Sequence, residues 1–175
     1  MSPDSITLQP PSIELKGPFC ALTAELHSSG EPYLGAARNV TPDTFEAHLE
    51  YLQKAKAGIG LRPGIVPVST FWAVSDGEVL GVIKLRHRLT ERLLHEGGHI
   101  GFFVRPTARR RGIATRILAL VLEPARALGI ERALVTCDAD NLGSARVIEK
   151  NGGQLENQIT SMFSGKAIRR YWIDL

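Results

Sequence analysis

The sequence predicts an α/β fold of the α+β kind in a single domain spanning residues 1–175, and three observations carry that reading. Amphipathic helical stretches and β-rich runs follow one another in an irregular order. One strand–helix–strand unit lies near the centre of the chain, with hairpin signals on either side of it. No polar linker, internal repeat or low-complexity tract divides the 175 residues, a length that buries enough apolar surface to fold without disulfides or metals.

Residues 5–8 and 12–15 each read as a short strand piece around Pro10-Pro11, after which Phe19, Leu22 and Leu26 recur at helical spacing up to Gly30. A second helix is expected from Thr41, with Pro42 at its first position and Asp43 and Glu46 near the positive end of the dipole. It carries Phe45, Leu49, Leu52 and Ala55 on one face. Residues 56–67 hold three glycines and two prolines and read as a long loop, either a substrate-side lid or a plain connection. Residues 69–74 and 79–86 are β-rich, and the Asp76-Gly77 pair between them makes a hairpin. A connection over 87–98, with a helical turn at Leu93-Leu94, leads to a strand over 99–104. Residues 112–128 read as a helix buried through Ile113, Ile117, Leu120 and Val121, in which Pro124 is expected to kink the last turn or end the helix early. A strand over 132–137, a short helix over 144–150 stopped by Asn151-Gly152-Gly153, and a closing hairpin of 154–160 with 167–173 complete the order.

With 43% hydrophobic and 22% charged residues the chain has an ordinary globular composition, which excludes a disordered or fibrous class. No run of about 18 apolar residues is available to span a bilayer. The first twelve residues lack the basic and apolar regions of a secretion signal, so a cytoplasmic protein without a membrane partner is expected. Cys20 and Cys137 are too few and too far apart to staple a secreted scaffold and read as free thiols, Cys137 as a structural one in the apolar run 133–137.

The net charge of +3 is modest, yet Arg105, Arg109, Arg110, Arg111 and Arg116 crowd one short stretch. That clustering points to a local anionic partner. It does not point to a nucleic acid, because no basic stripe or aromatic RNA-binding signature accompanies it. A helix opening at Gly112 offers unpaired backbone N–H groups and the positive end of its dipole. Gly112 has no side chain to hold a phosphate off the backbone, Ala114 is nearly as small, and the arginines can add charge-assisted hydrogen bonds. Taken by itself, the same turn also fits a solvated helix start.

The pattern Arg109-x-x-Gly112-x-Ala114, directly after an apolar strand ending Phe103-Val104-Arg105-Pro106, resembles the acetyl-coenzyme A signature of the GNAT superfamily of N-acetyltransferases. Downstream, Asp140-Asn141, Ser144 and the run 147–153 resemble the next strand end and helix of that family. Arg86-His87-Arg88-Leu89, the run 97–101, Thr136-Cys137-Asp138 and the run 170–173 are similar to a bacterial group of predicted acetyltransferases without an assigned substrate. The resemblance spans residues 70–173.

It implies a mixed, mostly antiparallel sheet, flanked by helices, whose central strands 99–104 and 132–137 splay apart around acetyl-CoA. The pantetheine arm would lie along Phe102, Phe103 and Val104. The pyrophosphate would sit on Arg109, Arg110, Arg111, Gly112, Ile113, Ala114 and Thr115. The amine of a small molecule or peptide would attack the thioester directly, without a covalent enzyme intermediate. The alternative within the same fold is a CoA-binding sensor or scaffold without efficient turnover. A homodimer is compatible with either.

His99 occupies the strand position where many family members carry a glutamate base, and it reads either as that base or as a half-buried strand residue. His87, flanked by Arg86 and Arg88, is the second candidate base, with a pKa that its neighbours should depress, a setting that equally suits a clamp for an acidic group. The tyrosine that the family often places near the leaving thiolate falls on Ile148, which cannot give a proton, leaving Ser144 or water as substitutes, or no acid at all, since a thiolate is a fair leaving group. Asn141 reads either as a pantetheine ligand or as a helix cap. His95 and His99 share a helical spacing, but Gly97-Gly98 between them argues against a metal pair, and no metal is expected. Trp72 and Trp172 fall on strand patterns and read as core.

Overall fold

The computed structural model describes residues 5–30 and 40–175. Its strands are Thr7–Gln9 (β1), Val68–Ser75 (β2), Glu78–Arg86 (β3), Ile100–Val104 (β4), Arg132–Asp138 (β5), Gln154–Thr160 (β6) and Ala167–Asp174 (β7). Its helices are Lys16–Ser28 (α1), Phe45–Ala57 (α2), Glu91–His95 (α3), Ile113–Ala127 (α4) and Leu142–Lys150 (α5). The strands form one seven-stranded sheet in the order β1-β2-β3-β4-β5-β7-β6. All neighbours run antiparallel except β4 and β5, so the sheet is mixed and mostly antiparallel.

Local chemistry accounts for most of these elements. Asp76 and Gly77 both take positive φ, 51° and 76°, as the tight turn between β2 and β3 requires. The stripe Ile113, Ile117, Leu118, Val121 and Ala125 buries α4 against the sheet. Each large aliphatic side chain buried this way contributes about 1.5–3 kcal/mol. That packing carries the regular helix through Pro124 to Ala127, so the expected early end does not occur. The missing donor falls in the last turn, where it removes a single hydrogen bond.

Three other expectations need correction. Residues 12–15 are not a strand: Ile13–Leu15 forms a turn of 3₁₀ helix that runs into α1, with the Leu15 N–H donating to the Ser12 carbonyl at 3.3 Å. Pro18 then falls in the first turn of α1, where its missing donor is harmless. The second helix starts at Phe45 rather than at Thr41, because Thr41 to Thr44 close a turn on themselves. The Thr41 N–H donates to Thr44 Oγ1 at 2.9 Å, and the Thr44 N–H to the Thr41 carbonyl at 3.1 Å. The helix reaches Ala57 before Gly58 ends it, which shortens the loop expected over 56–67.

The sheet has one core on each face. On one side α4 and α5 pack over Ile83, Leu85, Ile100 and Val135. On the other, Phe19 of α1 and Phe45 of α2 cover Trp72, Val74 and Val82, with the Phe19 and Trp72 rings stacked at 4.2 Å. Strand β4 alternates between them: Ile100, Phe102 and Val104 join the first core and Phe103 the second.

Between β4 and β5 the register holds a single pair, Ile100 with Val135. On their outer sides both strands are paired along their length, β4 with β3 and β5 with β7. The two parallel strands therefore part towards their C-terminal ends, and among the described residues the β5-facing edge of β4 beyond Ile100 has no strand beside it. No helix among the described residues is long and apolar enough to cross a membrane.

Candidate functional site

The open wedge between β4 and β5 has two borders built from local sequence. At its mouth, the segment after β4 makes a 3₁₀ turn over Pro106–Ala108 and then reaches α4 through two left-handed residues, Arg110 at φ 61° and Gly112 at φ 77°. Gly112 is the N-cap of α4, and no side chain of the described residues caps that end. Arg109, Arg110, Arg111 and Gly112 are exposed around it, Ala114 and Thr115 are half-buried, and Ile113 anchors the turn into the core. Left-handed turns of this kind line up backbone N–H groups into an anion-binding concavity, here at a helix's positive end. Phe102, Phe103 and Val104 lie on the open-edged strand that leads to it.

The arginines do not act as one cluster. Arg105 is held by Glu25 of α1, whose Oε2 accepts from its Nε and Nη2 at 2.7 Å each. The same carboxylate accepts the Thr107 N–H at 2.7 Å and the Thr107 hydroxyl at 3.0 Å. Burial pulls the Glu25 pKa upward, but the Thr107 N–H, Arg105 and the Thr107 hydroxyl outweigh it and hold the carboxyl below its ordinary range. Arg109 turns its Nε back onto the Val104 carbonyl at 3.0 Å. Arg105 and Arg109 thus brace the turn, and Arg110 and Arg111 stand on its rim. Arg116, in the first turn of α4, has a buried Nε without a hydrogen-bond partner among the described residues. Glu25 was not legible as part of this site, because nothing in its local sequence marks a helix glutamate as the brace of a loop so distant in the chain.

At the closed end of the wedge stands His99, with only 8% of its surface exposed. Its Nδ1 accepts the Leu134 N–H at 3.0 Å, and its backbone N–H donates to the Leu134 carbonyl at 2.7 Å. The proton of the neutral ring therefore sits on Nε2, and the only basic lone pair is already engaged. Burial, and then Arg86, lower the His99 pKa further. This geometry disagrees with His99 as the base and makes it the residue that ties β4 to β5 at the pivot of their divergence. Gly98 precedes it at φ 60° and lies against the Leu134 carbonyl, an approach that a Cβ would block.

His87, just past the end of β3, shares a 2.8 Å hydrogen bond between its Nε2 and the Ser69 hydroxyl, which can donate or accept. Its pKa is lowered by burial and then by Lys56, and not by the flanking arginines expected to do so. Asn141 caps α5: its Oδ1 accepts the Ser144 N–H at 3.0 Å. The Ser144 hydroxyl, half-buried in that first turn, has no hydrogen bond to any described residue. Ile148 is fully buried in the core beneath α4 and α5. Among the described residues no three of His, Cys, Asp and Glu come together as a metal site. Cys20 and Cys137 are free, half-buried thiols.

The family model described as an acetyltransferase (GNAT) domain matches residues 6–154. The sequence has no match among curated proteins. Among solved structures, the microcin C7 self-immunity acetyltransferase MccE, in complex with acetyl-CoA and AMP, is similar over 98% of this chain and 93% of its own, with a TM-score of 0.75 and 14% identity. RimJ of Mycobacterium smegmatis, in complex with a CoA disulfide, is similar over 97% and 81%, at 0.74 and 18%. YncA from Salmonella typhimurium, solved with its cofactor acetyl-CoA, is similar over 98% and 94%, at 0.65 and 16%.

Proposed function

The chain belongs to the GNAT acetyltransferase family, and from that premise we propose that it moves an acetyl group from acetyl-CoA to a primary amine of a small molecule or peptide. The observation that carries this reading is the uncapped, left-handed entry into α4 at Gly112, at the end of a strand whose inner edge is open. A pyrophosphate would take the N–H groups from Arg109 to Thr115 together with the side chains of Arg110 and Arg111. A pantetheine amide would pair with the open edge at Phe102 to Val104, as an added strand does. MccE and YncA, which share the fold, were solved with acetyl-CoA in place. One sheet is built from both halves of the chain, which supports treating residues 1–175 as one catalytic domain.

In this reading the acceptor nitrogen attacks the thioester carbonyl carbon, the C–S bond breaks, and CoA leaves as a thiolate that takes up a proton. A backbone N–H on the open edge of β4 polarises the carbonyl. Ser144, with its uncommitted hydroxyl at the start of α5, is the protein group we assign to the departing sulfur. Proton removal from the acceptor falls to His87. Its lowered pKa leaves it neutral at physiological pH, and His99 holds the strands in place. Buried Ile148 where the family carries a tyrosine favours a second reading, a CoA-binding module without efficient turnover.

A thiol-release screen with acetyl-CoA against amino acids, polyamines, peptides and aminoglycosides tests the assignment, and release above the hydrolysis background is expected with one class. CoA binding without release against any of them would leave the binding-module reading. If His87 is the base, turnover of the wild type declines as the pH falls through a pKa below the ordinary 6.5, because protonation removes the accepting lone pair. His87→Ala should lower turnover by about 100-fold or more and abolish that acid limb while CoA affinity holds. An unchanged limb in this variant would remove His87 from the mechanism.

A further inference from the structure

The face of the sheet turned towards α1 and α2 is closed along most of its length. Phe19 and Phe45 cover Trp72 and Val82, and Phe103 packs into the same cluster. Two residues before Phe103, and on the same face, Gly101 lies next to the single β4–β5 pair. A Cβ built on Gly101 would meet no described residue within 4 Å. The aromatic cover continues from Phe19 through the half-buried ring of His48, stacked on it at 5.6 Å, to the exposed Tyr51 of α2 at 6.2 Å, and leaves Gly101 outside the cluster. The opening over Gly101 thus reaches the pivot of the wedge from the side opposite α4 and α5.

Lys84 stands directly across from Gly101 in the β3–β4 register. It is half-buried, and its ammonium makes no hydrogen bond or ion pair with any described residue. Arg86 follows on the same face of β3, its Nη1 donating to the Gly97 and Gly98 carbonyls at 2.9 Å each. The surroundings register this positive field. Lys84 has its pKa lowered by burial and then by Arg86. His48 is pushed down to about 4 by burial and then by Lys84, so it stays neutral and adds no counter-charge. A partly desolvated cation without a partner is unfavourable, and an arriving anion offsets that cost.

We propose that the acceptor carries an anionic group, a carboxylate or a phosphate, close to its amine, and that Lys84 holds this group while the amine lies over Gly101 facing the thioester. The inference rests on the acetyl-transfer reading above and names its acceptor class: a small amino acid-like molecule rather than a polyamine. Two positive charges beside the site repel a second ammonium. They also make the reacting ammonium easier to deprotonate, which assists the attack.

The test compares α-amino acids, their carboxamides, aminoalkylphosphonates of matched length and spermidine as acceptors, in the wild type, Lys84→Met and Lys84→Arg. Acids or phosphonates should exceed the carboxamides by about 10- to 100-fold in kcat/KM, mainly through KM, the range of a charge-assisted hydrogen bond. The better of the two anions identifies the group. The preference should vanish in Lys84→Met and return in Lys84→Arg, with CoA affinity and thermal midpoint as folding controls. Calorimetry of the same acids and phosphonates on the CoA complex gives a readout independent of turnover. Binding that needs Lys84 but yields no acetylated product would uphold the anion site and remove the acetyl-transfer reading. Equal use of acids and carboxamides, a preference that survives Lys84→Met, spermidine as the best acceptor, or no binding of either anion at millimolar concentration would each overturn the proposal.

Discussion

Strands β4 and β5 run parallel from a shared pivot, and each passes through a tight turn into a helix, yet the two helices begin in opposite ways. Helix α5 is capped by its own sequence, with Asn141 Oδ1 on the Ser144 N–H at 3.0 Å. Helix α4 begins at Gly112 with no side-chain cap, exposed arginines in front of it and left-handed backbone at Arg110 and Gly112. Both ends face the same problem of unpaired N–H donors. One solves it with a cap that lasts for the life of the fold. The other leaves its donors to solvent or to a ligand, and that difference separates a structural end from a binding one.

The largest expected effect comes from closing the open end. Gly112 sits at φ 77°, where a β-branched side chain is strained by about 1–3 kcal/mol and would also stand in the path of the phosphates. Gly112→Val should weaken CoA binding by about 100-fold or more, measured by calorimetry. Gly112→Asn, which tolerates the left-handed conformation, should lose far less. Equal losses in the two variants would mean that backbone conformation is not what matters there, and unchanged affinity in both would move the phosphate site elsewhere.

The open turn was legible in the sequence because its chemistry is local: a glycine, a small residue and arginines next to one another after an apolar run. The Asp76-Gly77 hairpin was legible for the same reason. What could not be read depended on contacts across the fold. Arg105 counted as one more charge in the arginine cluster, but Glu25 holds it. His99 read equally as a base or as a half-buried strand residue, and only the contact of its Nδ1 with the Leu134 N–H favours the second. Lys84 carried no signal at all, because its meaning comes from Gly101 lying opposite it. Residues 12–15 failed for want of length, since Ile13-Glu14-Leu15 alternates like a strand but is too short for periodicity to decide.

A smaller effect is expected at the capped end. Asn141→Ala should cost about 1 kcal/mol of stability, the usual value of an N-cap, and should leave CoA affinity unchanged. Chemical denaturation and calorimetry on the same variant separate the two quantities. A drop in CoA affinity with stability intact would show that Asn141 reaches the cofactor, as the family resemblance implies, and would erase the contrast between the two helix starts.

The smallest effect is expected at Cys137, near the end of β5, two residues beyond the last pair with β4 and therefore beside the wedge. A thiol beside a thioester invites the idea of an acetyl-cysteine intermediate, and its surroundings argue against it. Burial pushes its pKa up to about 11, and although Arg169 pulls it down, Asp138 and Glu149 push it up again. At neutral pH such a thiol is ionised to about one part in ten thousand, and the thiol form is a poor nucleophile. Its side chain packs against the α4–α5 core instead. Cys137→Ala should therefore keep turnover within about two-fold of the wild type while losing roughly 1 kcal/mol of stability through the missing sulfur contacts. Intact-mass spectrometry of the wild type with acetyl-CoA should show no covalent adduct. A trapped acetyl-cysteine, or a folded Cys137→Ala protein without turnover, would replace direct attack by a two-step transfer through β5 and make the β5–α5 unit the chemical half of the site.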